Sequence, residues 1–175
     1  VHVHWHPFQL NPTMPKEGIS RKEYRTRKFG SWERSLELDA QVIAVGEFEG
    51  IHFDLDKTEK PPNTVDAHRL IWLADQHRCQ DTVVESLFLA YFAEGRDIGN
   101  HQTLIDVTAE AGLDRQATEA MLSSDDAVDV IANGTEVSRR HHVDGVPFFI
   151  INHAITLSGA QTPEIFLEAF KQATS

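Results

Sequence analysis

The sequence predicts an α/β protein in which a small sheet is interrupted by a large all-helical block. Three observations carry that expectation. Val1, Val3 and Trp5 alternate with His2, His4 and His6, the period-two pattern of a strand. Between residues 18 and 142 the apolar side chains recur instead at helical spacing. Past Gly145 the pattern returns to short β runs and then to one last helix.

The opening strand closes at Pro7, and Pro12 and Pro15 keep the following loop irregular. Ser20-Arg21-Lys22-Glu23 has the form of a capping box and starts a helix that ends near Gly30. Ser31 caps the next helix, with Leu36, Ala40 and Ile43 as its apolar stripe and Gly46 or Gly50 as its stop. Residues 51–55 read as a short extended stretch before Pro61 and Pro62. Asn63 or Thr64 starts a strong helix carrying Ala67, Leu70, Ile71 and Ala74 on one face. A second places Val84, Leu87, Phe88, Tyr91 and Phe92 on one face and ends near Gly95. Leu104, Val107 and Ala111 mark a third, ended by Gly112, and residues 115–122 a short fourth. Asp125 or Asp126 caps a fifth, with Val128, Ile131 and Ala132 inward, running towards His142. Residues 148–152 and 154–157 then read as a hairpin turning at Asn152-His153. Pro163 sits at the first position of the last helix, which turns Ile165, Phe166, Ala169 and Phe170 inward.

The chain of 175 residues has a formal net charge of −11 and 41% hydrophobic residues. So acidic a balance argues against nucleic acid and anionic membrane as partners, since both need a basic face. No apolar run approaches the roughly 20 residues of a membrane span, and no charged-then-apolar leader opens the sequence. A single cysteine, Cys79, leaves no internal disulfide or CxxC pair among these residues. A soluble, cytoplasmic protein is the expectation.

Several residues invite a chemical role. His2, His4 and His6 would share one strand face and could converge on Zn²⁺, although no Asp or Cys completes a ligand set by spacing; a solvated strand face is the plainer reading, and no metal is assigned. His141 and His142, after Arg139 and Arg140, suit the negative end of a helix dipole. His77 and Arg78 could lower the pKa of Cys79, yet no base or resolving cysteine stands near it in sequence, which favours a structural role. Asp97 and Asn100 read as loop and helix-cap chemistry. P-loop, dinucleotide-binding, nucleophile-elbow and HExxH motifs are absent, and no cofactor is called for. Pro147 stands apart. It follows Gly145-Val146 and enters the first strand of a β-β-α unit, where proline is tolerated and where it commonly adopts a cis bond. That is the layout of a thioredoxin-like fold.

Longer motifs support a family resemblance along nearly the whole chain. They are Trp5-His6-Pro7-Phe8-Gln9-Leu10-Asn11-Pro12, Lys28-Phe29-Gly30 and Pro62-Asn63-Thr64-Val65-Asp66-Ala67-His68-Arg69-Leu70. Leu89-Ala90-Tyr91-Phe92-Ala93-Glu94-Gly95-Arg96-Asp97-Ile98, Gly145-Val146-Pro147-Phe148-Phe149 and Ser158-Gly159-Ala160-Gln161 follow in order. The chain resembles the DsbA family of thiol–disulfide oxidoreductases, in its cytoplasmic FrnE-like branch. The resemblance implies a thioredoxin-like fold with a large all-helical insertion: residues 1–17 and 143–175 in a partial thioredoxin-like domain, residues 18–142 in the insertion. It implies thiol–disulfide exchange with a protein or a small thiol, in which a low-pKa cysteine at a helix N-terminus attacks a substrate disulfide. By the same resemblance Val146 and Pro147 form the substrate-facing loop, with Pro147 beside the catalytic centre.

The family's CxxC follows a first strand and opens a first helix, both ahead of the strand that holds Trp5 and His6. The sequence opens at that second strand, so the first strand, the first helix and the CxxC are expected to be missing and the chain to be redox-inactive as it stands. The gap in the sheet is expected to be met by the two flanking strands closing on each other or by a homodimer that completes the sheet. Two other functions stay open: a glutathione-dependent isomerase of the 2-hydroxychromene-2-carboxylate type, and a non-catalytic binding module.

Overall fold

The computed structural model describes residues 1–140 and 142–174. Helix α1 (Arg21–Phe29) follows Ser20 and ends at Gly30. Helix α2 (Trp32–Phe48) is capped by Ser31, whose hydroxyl accepts from the Arg34 N–H at 3.0 Å. The two pack as a hairpin around a buried ionic cluster. The Asp39 carboxylate accepts from Arg21 at 2.6 Å and from Arg25, and Arg25 also donates to Ser35. α2 therefore buries Ser35, Asp39 and Gly46 rather than the predicted stripe, and Leu36 and Ala40 lie exposed. The reason is the partner: α1 offers guanidinium groups, so the facing positions must be anionic or small.

Residues 51–54 are irregular and lead into one 3-10 turn, Leu55–Lys57. Helices α3 (Val65–Gln76), α4 (Gln80–Phe88), α5 (His101–Glu110) and α6 (Arg115–Ser123) then form the main core. Leu70, Ala74, Val83 and Leu104 are fully enclosed there. Asn100 caps α5 through Thr103, as the sequence indicates, and Asp114 caps α6 through Ala117. A π-helical turn, Leu89–Ala93, extends α4. α4 buries Val83, Val84 and Leu87, and the π turn buries Ala90; of the predicted face Val84 and Leu87 are buried and Tyr91 and Phe92 half-buried, while Phe88 is exposed.

The stop at Gly95 has a steric cause. Its φ is +69°, and a Cβ built there would lie 2.3 Å from the Lys57 Cβ and 2.8 Å from the Lys57 backbone. Gly95→Ala is therefore expected to destabilise the protein by more than about 1 kcal/mol, read as a lowered urea midpoint. An unchanged midpoint would show that the turn can move away.

Helix α7 (Val128–Arg140) packs on α3 and buries Ile131 and Thr135, whereas Ala132, expected inward, is exposed. Strands β1 (Phe148–Ile151) and β2 (Ile155–Ser158) form an antiparallel hairpin with Ile151 opposite Ile155. Asn152 and His153 both have positive φ, the primed turn that matches strand twist, and β2 begins one residue later than predicted. Helix α8 (Pro163–Ala173) follows, with Pro163 at its start. Phe166 meets Phe149 edge-on at 4.8 Å, so α8 covers the face of the hairpin that carries Phe149, Ile151, Ile155 and Leu157. Ala169 is buried and Phe166 and Phe170 half-buried, but Ile165 is exposed.

The strand predicted at residues 1–6 does not form. A strand exists through its ladder, and the sheet among the described residues has two strands, β1 and β2. The expected closure of flanking strands on one another does not occur either. Residues 4–9 dock on helices instead. The Trp5 N–H donates to the Gln80 side chain at 2.9 Å, and Gln80 donates back to the Trp5 carbonyl at 3.2 Å. The Gln9 N–H donates to Thr135, and Arg139 donates to the Gln9 carbonyl at 2.9 Å. Gly134 lets Pro7 approach α7: a Cβ there would sit 3.1 Å from the proline ring.

Candidate functional site

The end of α7 positions the loop ahead of β1. Arg139 and Arg140 lie in its last turn, where cations suit the dipole. His141 lies outside the described residues. His142 takes a left-handed φ of 61°, and the Val143 N–H donates to the Ser138 carbonyl at 3.0 Å, turning the chain out of the helix. Val143 is buried and anchors the segment. Asp144 and Gly145 then lead to Val146–Pro147, whose peptide bond is cis.

Pro147 precedes β1 and its carbonyl accepts from the Gly159 N–H at 2.8 Å, which ties the loop to the end of β2. Val146 is 52% exposed. Among the described residues neither its N–H nor its C=O has a hydrogen-bond partner. Such groups are satisfied by water or by an arriving chain. Among the described residues β1 pairs only with β2, so its other edge is also open. No residue of β1 is fully buried, contrary to the buried run the sequence suggests, and Ile150 points away from α8 into solvent. The loop, the edge and Ile150 thus form a surface that can take an extended chain through backbone bonds and apolar contact.

Without a strand, the regular one-face alignment of His2, His4 and His6 that the sequence suggests is lost. The His4 and His6 rings meet edge-on at 4.7 Å, and His4 Nδ1 lies 3.3 Å from the Asp75 carboxylate. Burial lowers the pKa of His6, and the charge of His4 lowers it further. His153 in the hairpin turn adds to that lowering, so the segment and the hairpin lie near each other. No group of three or more metal-binding side chains converges among the described residues.

Cys79 begins α4 but is not activated. Its thiol faces the Ala74 carbonyl at 3.7 Å, and burial pushes its pKa up. The expected influence of His77 and Arg78 does not outweigh that burial. Asp97 is a loop residue, accepting from Gly99 at 3.0 Å and pairing with Lys60 at 2.9 Å.

Two clefts lie elsewhere, in the helical block. One of about 380 Å³ is lined by Asp66, Arg69 and His101, and one of about 210 Å³ by Lys57, Lys60 and Arg96. Val146 and Pro147 line neither. Sequence inspection missed Arg69 as a buried polar residue. The apolar spacing gave no signal for it, since Arg69 lies nearly opposite the Ala67, Leu70, Ile71 and Ala74 stripe on the helix and is buried by the carbonyls at the end of α6 and of the segment that follows it.

The profile of the DSBA-like thioredoxin domain matches residues 1–171. The chain belongs to that family. A probable DsbA oxidoreductase of Streptomyces coelicolor, known from its crystal structure, superposes on this DsbA-like chain with a TM-score of 0.88. The two are 26% identical over 97% of this chain and 74% of that one. The uncharacterized protein YwbO of Bacillus subtilis (strain 168) is 23% identical over 170 residues, 97% of this chain and 80% of its own. The fold is therefore the thioredoxin-like one with a helical insertion, and the family is one of thiol–disulfide oxidoreductases. Among the described residues of this DsbA-like chain no helix is long and apolar enough to cross a membrane.

Proposed function

We propose that this chain supplies the substrate-holding side of a thiol–disulfide exchange site of the FrnE-like type. The observation that carries the reading is Val146: exposed, with both backbone groups unpartnered among the described residues, directly ahead of a free strand edge. An extended substrate segment donates to the Val146 carbonyl and accepts from its N–H, which fixes the segment beside Pro147. Each such bond contributes about 1 kcal/mol net, so two of them orient a chain without holding it long. Weak, backbone-directed capture suits a protein that must accept many cysteine-containing partners and release them, or take a small thiol.

Exchange itself needs a thiolate of lowered pKa. Cys79 is the single cysteine of the 175 residues, and its pKa is raised. These residues alone are therefore redox-inert in our reading. We also read residues 1–17 and 143–175 as the substrate-facing unit and 18–142 as the helical insertion, in a protein of the cytoplasm. The sparse use of cysteine supports that location.

Insulin reduction by dithiothreitol tests the inert state. The rate with the 175-residue protein is expected to equal that of dithiothreitol alone; catalysis that disappears in Cys79→Ser would move the redox centre to α4. Amide NMR tests the substrate reading separately. An extended cysteine-containing peptide is expected to shift the Val146 resonance, and Val146→Pro to weaken that binding about fivefold by removing one donor. Shifts confined to the helical clefts would overturn it.

A further inference from the structure

We infer that α2 is the interface of a homodimer, in which two copies pair antiparallel across a two-fold axis near Gln41 and Val42. Helix α2 is built unlike the others. Its inward positions are Ser35, Asp39 and Gly46, and its main packing partner is α1. Beside that inward stripe its apolar side chains are exposed: Val42 at the margin of the stripe, Val45 at 65% and Phe48 at 88% exposure. An exposed apolar stripe flanking a helix's own packing face is one that another surface covers.

The spacing says what covers it. Arg34, Leu38, Gln41, Val45 and Phe48 recur at alternating steps of four and three, with Val42 and Glu49 beside them. That is the seam of a helix pair. An antiparallel partner centred between Gln41 and Val42 sets Leu38 against the partner's Val45, Gln41 against the partner's Val42, and Arg34 against the partner's Glu49. The symmetry repeats each contact, as an isologous interface requires.

Charge points the same way. α2 has no basic residue in its last turn, and Glu47 and Glu49 stand at its negative end. Arg27, Lys28 and Arg34 cluster at the opposite end of the α1–α2 hairpin. Antiparallel pairing brings that basic end onto the acidic end twice. Arg34 already donates to the exposed Glu37 at 2.8 Å and keeps donors for Glu49 of a second copy. Phe48 falls within one turn of the partner's Arg34, where a ring can lie under a guanidinium. The inference is independent of the substrate reading, because α2 contributes nothing to the Val146 loop.

Sedimentation velocity across micromolar to submillimolar concentrations tests it. A species of twice the 19.7 kDa chain mass is expected. Val45→Glu is expected to raise the dissociation constant at least about tenfold, with an unchanged circular dichroism spectrum because the position is exposed. Arg34→Glu is expected to weaken the dimer, and Arg34→Glu with Glu49→Arg to restore it. A monomer at every concentration overturns the inference. So does a dimer indifferent to Val45→Glu, which would move the interface to the free edge of β1. Failure of the double reversal to restore affinity overturns the antiparallel register.

Discussion

Arg69→Met is expected to cost about 3–5 kcal/mol of stability, seen as a large fall in the urea midpoint at neutral pH. Arg69 is 3% exposed, and its guanidinium serves four acceptors. It donates to Asp66 at 2.7 Å, to the Asp126 carbonyl at 2.7 Å, to the Ser124 carbonyl at 2.6 Å and to the Met121 carbonyl. These bonds tie the middle of α3 to the end of α6 and to the loop that starts α7. Burial alone would raise the pKa of Asp66, but hydrogen bonds from Arg69 and His101 outweigh it and hold the carboxyl below its ordinary value. Methionine keeps much of the volume and removes every donor. Three carbonyls and a carboxylate then lose the guanidinium donors, although Asp66 keeps His101 and the Met121 carbonyl keeps Ser124, and leaving the rest unmade is the expensive outcome. Arg69→Lys is expected to recover little, because an ammonium lacks the planar fork that reaches acceptors in several directions. A loss under about 1 kcal/mol for Arg69→Met would mean that water replaces the guanidinium.

Stability is expected to fall by on the order of 3 kcal/mol as the pH is lowered from 6.5 to about 4, with His68 as the main cause. Burial brings its imidazole down to about 4, against a hydrogen bond to the Phe8 backbone that raises it. The folded state thus keeps His68 neutral while the unfolded chain takes a proton near pH 6.5. Across that window the unfolded state binds more protons, so acid favours unfolding; above it the contribution is constant. Asp66 acts in the same direction at still lower pH, since its folded pKa is depressed. Urea titrations at several pH values measure the slope, and His68→Gln is expected to flatten it. An equal slope in the variant would assign the acid sensitivity to other groups. His68 meets the Phe8 backbone in the segment that also bonds Gln80, Thr135 and Arg139, and the cost of protonating it comes from burial, since the Phe8 bond favours the charged form.

Most helix boundaries were legible because their signals are local. Ser31 and Asn100 cap through bonds three residues away, Gly30 and Gly112 take positive φ at helix ends, and Pro163 starts α8. Faces were less legible. The stripe of α2 came out rotated and Phe88 of the α4 face came out exposed, since burial depends on what lies opposite: for α2, the guanidinium groups of α1. At the candidate site, Val146 and Pro147 were marked by composition and order, but their exposure and open backbone groups are properties of the assembled chain.

The sequence by itself determined the order of the helices and of the closing hairpin, the family and the loop that enters β1, because caps, glycines and prolines act over a few residues whatever surrounds them. Only the tertiary structure decided that residues 1–6 form no strand and that His4 and Trp5 meet helices, that Cys79 faces a carbonyl, and that α2 turns its valines to solvent. Each of those depends on a partner distant in sequence: a ladder needs a neighbouring strand, a thiol's pKa needs its surroundings, and a helix face is buried only where another surface meets it.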